Sequence, residues 1–448
     1  MVRACFSRSA FFLIVLFLSS WHLDVSRNDN IVSRAAMVAA LAVHGEAHID
    51  RYHTLTQDKA YINGHYYSEK APLPALIMVP VWWAFHTTGL SSTPADGGLP
   101  DLLLAVCGIL MGSLPFTLII CWTRRKLLRT GIPYASSIAV AAFFGSFLFA
   151  YSGSFFGHLV AAYLMLLAWE QRQVGRDLPA ACLSAAAVLA EYSLFVFPLV
   201  WLSQSTFTGE WRRVFHLVMG GSPALLFMLY WNMVITGSPF ILPYEGVVNY
   251  GEAQRPLGLA APSVTALLAL LFSTYRGLFI HAPVTALCML IICSRLPDHR
   301  IKDLLLHPLL LPVILLVLLI SAHSMWWGGW AWGPRHLTTV AVLILAFGLP
   351  KIHPHGAMGI AFLVLAGVGL FIGLAAKSTI GLGAPSDVLH PITELVLPKI
   401  LAQDFTVLQW PVVLGLSPAI ATFAFVFIFI CTSILLYRMD RPLANTTT

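Results

Sequence analysis

The sequence predicts an all-α polytopic membrane protein of about 11–13 transmembrane segments, with a large polar loop after the first. Three observations carry this. Charged residues make up only 10% of the chain, against about a quarter in soluble domains. The mean hydropathy is +0.80. Apolar runs of near-span length recur from end to end, so residues 1–448 read as one membrane domain.

Charge and cysteine usage narrow the class further. The formal net charge is +6, and it lies in short clusters between apolar runs. A nucleic-acid binder collects such charge on one face, so nucleic acid is not expected as a partner. Cys5, Cys107, Cys121, Cys182, Cys288, Cys293 and Cys431 lie in or beside apolar runs. None has the spacing of a zinc motif or of a disulfide framework.

Arg3 and Arg8 precede an apolar run from Ser9 to Trp21. We read it as an uncleaved first helix with a cytoplasmic N-terminus, a signal peptide being the alternative. Spanning candidates follow at Leu99–Trp122, Tyr134–Ala150, Phe156–Trp169, Val214–Val234, Gly277–Cys293, Leu304–Ser321, Leu337–Leu349, Met358–Ala376 and Pro411–Tyr437. Between them lie Arg124/Arg125/Lys126/Arg129, Arg172/Arg176, Arg212/Arg213, Arg295/Arg300/Lys302, Lys351 and Arg438/Arg441. The positive-inside rule places all of these in the cytoplasm.

Parity then tests the shorter runs. Pro72–Phe85 is short and proline-rich, and counting it as a span puts the Arg124 cluster outside. It is expected to lie at the outer interface, capped by Trp82 and Trp83. Pro262–Phe272 is read in the same way. Leu178–Leu202 is flanked by basic clusters at both ends and carries Glu191-Tyr192 in its middle. Two half-length helices forming an in-and-out hairpin satisfy parity, with Glu191 and Tyr192 as its intramembrane polar anchor. Both termini are then cytoplasmic. The outer face owns residues 24–98, Tyr151–Ser154, 237–276, Ala322–His336 and 377–409. No internal repeat is evident, which counts against inverted-repeat transporters.

The first outer loop is where chemistry is expected. Asp24, Asp29, Glu46, Asp50, Asp58 and Glu69 are six of the chain's twenty acidic residues, gathered in about a tenth of its length. A membrane protein that concentrates titratable groups in one loop points to that loop as its site. His44, His48, His53 and His65 also lie there, but without the helical spacing of a metalloprotease, so no metal is expected.

The outer segments carry recognisable strings. Ile49-Asp50, Tyr52, Thr56 and Asp58-Lys59-Ala60 are followed by NGHYYSEKAPLPAL from Asn63. Later come YWNMVITGSPF from Tyr230, FSTYRGLFIHAP from Phe272 and WWGGWAWGPRHL from Trp326. In order along the chain, these resemble the GT-C glycosyltransferases, in particular the protein O-mannosyltransferases and lipid A aminoarabinose transferases of bacteria. The family usually has an acidic pair after the first span; this chain has SRNDN, with Asp29 alone, and KAPLP in place of KPPL.

The resemblance implies a GT-C-like fold and a bacterial inner-membrane location. It implies inverting transfer of a sugar from a polyprenyl-phosphate donor to a hydroxyl of a lipid, glycan or protein on the extracytoplasmic face. Such a reaction needs a base for the attacking hydroxyl, cations for the leaving phosphate and a groove for the lipid tail. Asp29 is the first candidate base, by its position beyond the first span; the alternative is an ordinary helix cap, since Asn28 and Asp29 precede IVSRAAMVAALAVHG, which reads as an amphipathic helix closed by Gly45. Asp58 and Asp50 come next, against a role in pinning turns. Lys70, Arg276 and Arg335 are the candidate phosphate ligands. A snorkelling lysine, and salt bridges from the arginines to Asp50 or Asp58, are their alternatives. His65, Tyr67, Glu69, Trp326, Trp327 and Trp330 are candidates for holding substrate or acceptor, the tryptophans also suiting an interfacial belt. No cofactor is expected to be essential, although a divalent cation has room to assist. A transporter or lipid flippase, or a non-catalytic GT-C-like scaffold, are the rival readings.

Overall fold

The computed structural model describes residues 2–91, 97–250, 258–294 and 307–440, and it is mostly helical. The basic residues Arg295, Arg300, Lys302 and Arg441 lie outside the described residues, as does part of the expected 24–98 loop.

The first helix is α1, Val2–Ser19. Helix α2, Asp29–Ala39, follows a short extended stretch. Asn28 supplies the N-cap, its side chain accepting the Asn30 N–H. Asp29 is therefore the first helical residue and not the cap. The expected end at Gly45 is observed: a wider helical turn, Ala40–His44, closes on Gly45 at φ 69°. An amphipathic surface helix is not what forms. Asn30 through Ala40 are all buried, so α2 is a core helix with polar residues turned toward neighbours.

Helix α3 is Leu73–Thr87. Trp83 is exposed, but Trp82 is buried and stacks on Phe85 with centroids 6.0 Å apart. Only one of the two tryptophans therefore faces outward as an interfacial cap would.

Four helices among the described residues are long and apolar enough to cross a membrane: α4 (Asp101–Arg129), α9 (Trp211–Thr236), α14 (Gly356–Thr379) and α15 (Pro418–Met439). The last three turn much of their apolar surface outward, through Leu225, Leu226, Leu363, Phe371, Phe423 and Phe427. Water would penalise such a surface and lipid does not. The remaining expected spans fold as shorter helices: α5 (Ala135–Phe144), α6 (His158–Gln173), α11 (Pro283–Ser294), α12 (Leu310–Ser321) and α13 (Thr338–Gly348); the two half-length helices of the 178–202 run are α7 (Asp177–Ala190) and α8 (Val196–Phe207), and the run expected at the interface forms α10 (Val264–Phe272). Four of the expected segments are therefore of full span length among the described residues, and the others are shorter. Breaks at Gly145, Glu191 and Pro283 divide the runs that composition alone joins.

The hairpin expected around Glu191 is observed. The backbone leaves the helix at Glu191 (φ −152°, ψ 105°) and re-enters it at Val196. Both limbs return to one end of the bundle. Arg172 contacts Asp177 at the start of α7 (3.3 Å) and lies 5.1 Å from the Trp201 ring of α8. Arg213 closes the same cluster at 3.1 Å from Asp177. Glu191 lies one 14-residue helix away, about 20 Å along its axis.

At that far end the loops pack on one another. Strand β1 (His22–Leu23) pairs antiparallel with β4 (Leu408–Gln409), tying the first loop to the last. Strands β2 (Ala60–Ile62) and β3 (His65–Tyr67) form a hairpin. Its two-residue turn is Asn63-Gly64, at φ 52° and 88°, the positive pair that a type I′ turn demands. Residues 151–154 are buried beneath. Ser154 donates to Asp24 (2.6 Å) and Lys377 donates to the Ala150 carbonyl (3.0 Å). Helix α4 makes room for this crossing with Gly108 and Gly112. A Cβ at either would lie 2.1–2.7 Å from the carbonyl oxygens of Gly153, Ser154 or Tyr151.

Candidate functional site

These loops enclose a cavity of about 1220 Å³, larger than the roughly 300–1,000 Å³ of ordinary small-molecule sites. Among the described residues its wall draws on the start of α2, Asp58 and the strand-to-helix segment around Lys70, His158, the Glu191 break, residues 242–250 with Leu259, the loop between α12 and α13, and Gly383 with Ser386. Part of it is apolar, through Phe195, Leu242, Leu259, Leu319 and Met325. The rest is densely charged.

Lys70 is a cation of this wall held between two carboxylates. The ammonium lies 2.7 Å from Asp58 Oδ2 and also pairs with Glu69 Oε1. Burial alone would lower its pKa, but the two carboxylates outweigh this and raise it. Burial would likewise raise Asp58; Lys70, helped by Arg335 and by a hydrogen bond from the Tyr250 hydroxyl, holds it below the usual carboxylate range instead. Glu69 goes the other way. Burial and the neighbouring Asp58 charge prevail over Lys70 and raise it. One lysine cannot neutralise two carboxylates, and the more enclosed one takes the penalty.

That asymmetry has a testable sign. Glu69 has a folded pKa above its unfolded value near 4.5. Its charge therefore costs stability once pH exceeds the folded value, and protonation relieves the cost as pH falls toward 4.5. Glu69→Gln is expected to flatten the decline of the apparent unfolding midpoint as pH rises above 4.5. An unaltered slope in detergent-solubilised protein would show that Glu69 is not its source.

Arg335 lines the same cavity. Its guanidinium lies 5.6 Å from the Phe156 ring, and its Nε is buried without a hydrogen-bond partner. No carboxylate lies within 4 Å of it among the described residues, so the salt bridge to Asp50 or Asp58 is not formed. Orphaned polar atoms recur around this wall: Arg34 Nε, Glu69 Oε2, His158 Nε2 and the Tyr192 hydroxyl. A wall of such atoms is built for a polar ligand or for water.

Asp29 also faces the cavity. Its Oδ1 accepts the Gln57 N–H at 2.6 Å, which fixes the carboxylate while Thr56 donates to the Asp29 carbonyl. Glu191 lines the cavity too, paired with His158 Nδ1 at 2.6 Å. Its partner is a histidine at the start of α6.

Other expected residues lie elsewhere. Arg276 does not line the cavity. It is fully buried and donates to the carbonyls of Trp327, Tyr275, Gly329 and Ala384. With its donors so engaged it is a staple for the tryptophan-rich loop and not a phosphate ligand. Asp50 is also absent from the wall; it faces His48 and His65. His65 therefore does not reach substrate in the cavity, and Tyr67 is buried outside it. Trp326 packs edge-on against Tyr275, with centroids 6.1 Å apart, and lines a separate small pocket. Trp327 and Trp330 do line the cavity, as do Tyr192, Glu69 and Asp58.

Two arginines with one shared expectation thus part ways. Arg276→Ala is expected to lower the unfolding midpoint markedly, because it strands four carbonyls. Arg335→Ala is expected to leave it near wild type. Thermal scans of both variants check this, and equal losses would put Arg335 in the packing as well.

Sequence reasoning missed Arg34, His158, Tyr244 and Tyr250, all in the wall. Arg34 had a signal: it is a lone charge inside the small apolar run of α2. His158 was absorbed into an apolar span. Compared with known proteins, this chain matches no family model, no curated protein and no solved structure.

Proposed function

We propose that this chain is a GT-C-like glycosyltransferase, moving a sugar from a polyprenyl-phosphate donor to an acceptor hydroxyl on the extracytoplasmic face. One observation carries the reading: Asp29, Lys70 and Arg335 share a single cavity whose wall is part apolar and part cationic. An amphiphilic donor needs both halves. Lys70 and the unpaired Arg335 suit its phosphate. Phe195, Leu319 and their neighbours suit the first isoprene units.

In the transfer, the acceptor oxygen attacks the anomeric carbon as Asp29 takes its proton. The bond from that carbon to the phosphate oxygen breaks with inversion, and polyprenyl phosphate leaves with the bonding electrons. Cations aimed at the leaving oxygen stabilise charge that grows only in the transition state. Asp58 is the weaker base, since Lys70 and Tyr250 already occupy its carboxylate.

The test uses purified full-length protein, a radiolabelled polyprenyl-phosphate sugar and a membrane extract as acceptor source. Release of free polyprenyl phosphate is expected, and Arg335→Ala is expected to raise the donor concentration needed for it. Failure to release from any donor, together with donor crossing between leaflets of reconstituted vesicles, would favour a flippase instead.

A further inference from the structure

A second cluster lies outside the cavity, in the same loop. Asp50, His48 and His65 present one oxygen and two ring nitrogens that all lie within 4.8 Å of one another. Asp50 Oδ1 is held by the Tyr66 N–H at 2.7 Å, which aims the other oxygen, Oδ2, at the histidines. His65 Nδ1 lies 2.7 Å from Oδ2 and His48 Nδ1 lies 3.2 Å from it. The two rings stack with centroids 4.6 Å apart. Both therefore turn the same nitrogen toward one carboxylate oxygen.

Hydrogen bonding accounts for only one of these approaches. His65 Nδ1 makes a bond with Asp50. His48 Nδ1 is shielded from solvent and has no hydrogen-bond partner, close as it is to Oδ2. A protonated His48 would form an ion pair with Oδ2 at this distance; with neutral rings, the two nitrogens and the carboxylate oxygen converge as they do on a shared acceptor of lone pairs. A divalent cation is such an acceptor.

We propose that His48, Asp50 and His65 form a zinc site. Two imidazole nitrogens and one carboxylate oxygen are an ordinary zinc donor set, at about 2.0–2.2 Å from the metal. Tetrahedral ligands at that radius stand about 3.3 Å apart, close to the His48–Asp50 separation. The Tyr66 N–H orients the ligating carboxylate from behind, as outer partners of metal ligands do. The fourth position falls to water or to Glu46, whose Oε2 lies 4.0 Å from His48 Nδ1.

Its place in the chain gives the ion a task. His48 and Asp50 follow the end of α2, which begins with Asp29. His65 opens β3, and the chain leaving that strand after Tyr67 leads to Glu69 and Lys70. Zinc would clamp the hairpin to the segment after α2, and so fix two walls of the cavity against each other. This holds whatever the cavity binds.

Zinc chloride added to chelator-treated, tag-free, full-length protein is the test. Calorimetry is expected to find one equivalent bound, with a raised unfolding midpoint and slowed amide exchange at residues 60–67. His65→Ala and His48→Ala should each weaken binding by at least tenfold. His53→Ala should not, because that ring stacks on Tyr66 instead, 4.1 Å between centroids. Cobalt(II) in place of zinc should give the visible bands of a low-coordinate site, a readout that does not depend on the variants folding. The proposal is overturned if zinc does not bind stoichiometrically, or if it binds the His65→Ala variant as tightly as wild type.

Discussion

Asp29→Asn is expected to lower sugar transfer by about 10²- to 10⁴-fold while leaving the protein folded, the range a positioned general base contributes. The substitution keeps the side-chain oxygen that accepts the Gln57 N–H and removes the charge that would take the hydroxyl proton. The helix start survives as well, because Asn28 and not Asp29 provides the cap. Donor binding should change little, since phosphate is assigned to Lys70 and Arg335. The split is readable: turnover falls at saturating donor, and the donor concentration for half-maximal rate stays put. Measured release that persists in Asp29→Asn but vanishes in Asp58→Asn would move the base to Asp58. Release that persists in both would end the assignment of a carboxylate base in this loop.

How far the sequence could see depended on whether a residue's fate is set locally. The apolar runs at 214–234 and 358–376 became α9 and α14 with few changes, because length and composition suffice for a lipid-facing helix. The break at Glu191 was legible for the same reason: a charged residue in mid-run has few places to go. Gly45 ended its helix as glycine does. The Asn63-Gly64 hairpin was equally local, and its turn signal stood in the sequence unread.

Arg276 and Arg335 show where local reading stops. Each precedes an apolar run and each has glycine close by in the chain. One is enclosed by four carbonyls and the other faces a cavity with no carboxylate within 4 Å of it among the described residues. Only the tertiary path of the Trp327–Gly329 and Ala384 segments decides between them. Asp50 and Asp58 divide in the same way. Eight residues apart in one loop, they meet two histidines and one lysine respectively.

Lys70→Met carries the largest expected cost in stability. It leaves Asp58 and Glu69 with side chains only 12% and 3% exposed and no cation between them. Removing one partner of a buried ionic group typically costs about 3–5 kcal/mol, whereas replacing the whole group by neutral residues of similar size is often neutral. Asp58→Asn and Glu69→Gln, added to Lys70→Met, are therefore expected to recover most of the lost unfolding midpoint. Activity should not return with it. If the ammonium meets the donor phosphate, the stable triple variant still lacks that charge, and its release of polyprenyl phosphate stays low at donor concentrations that saturate wild type. Asp58→Asn alone, which keeps Lys70 and Asp29, should retain transfer, and this separates loss of the cation from loss of a carboxylate. A triple variant that transfers as fast as wild type would reduce Lys70 to a counter-ion for its two neighbours, and the phosphate would then rest on Arg335 with Arg34 beside it.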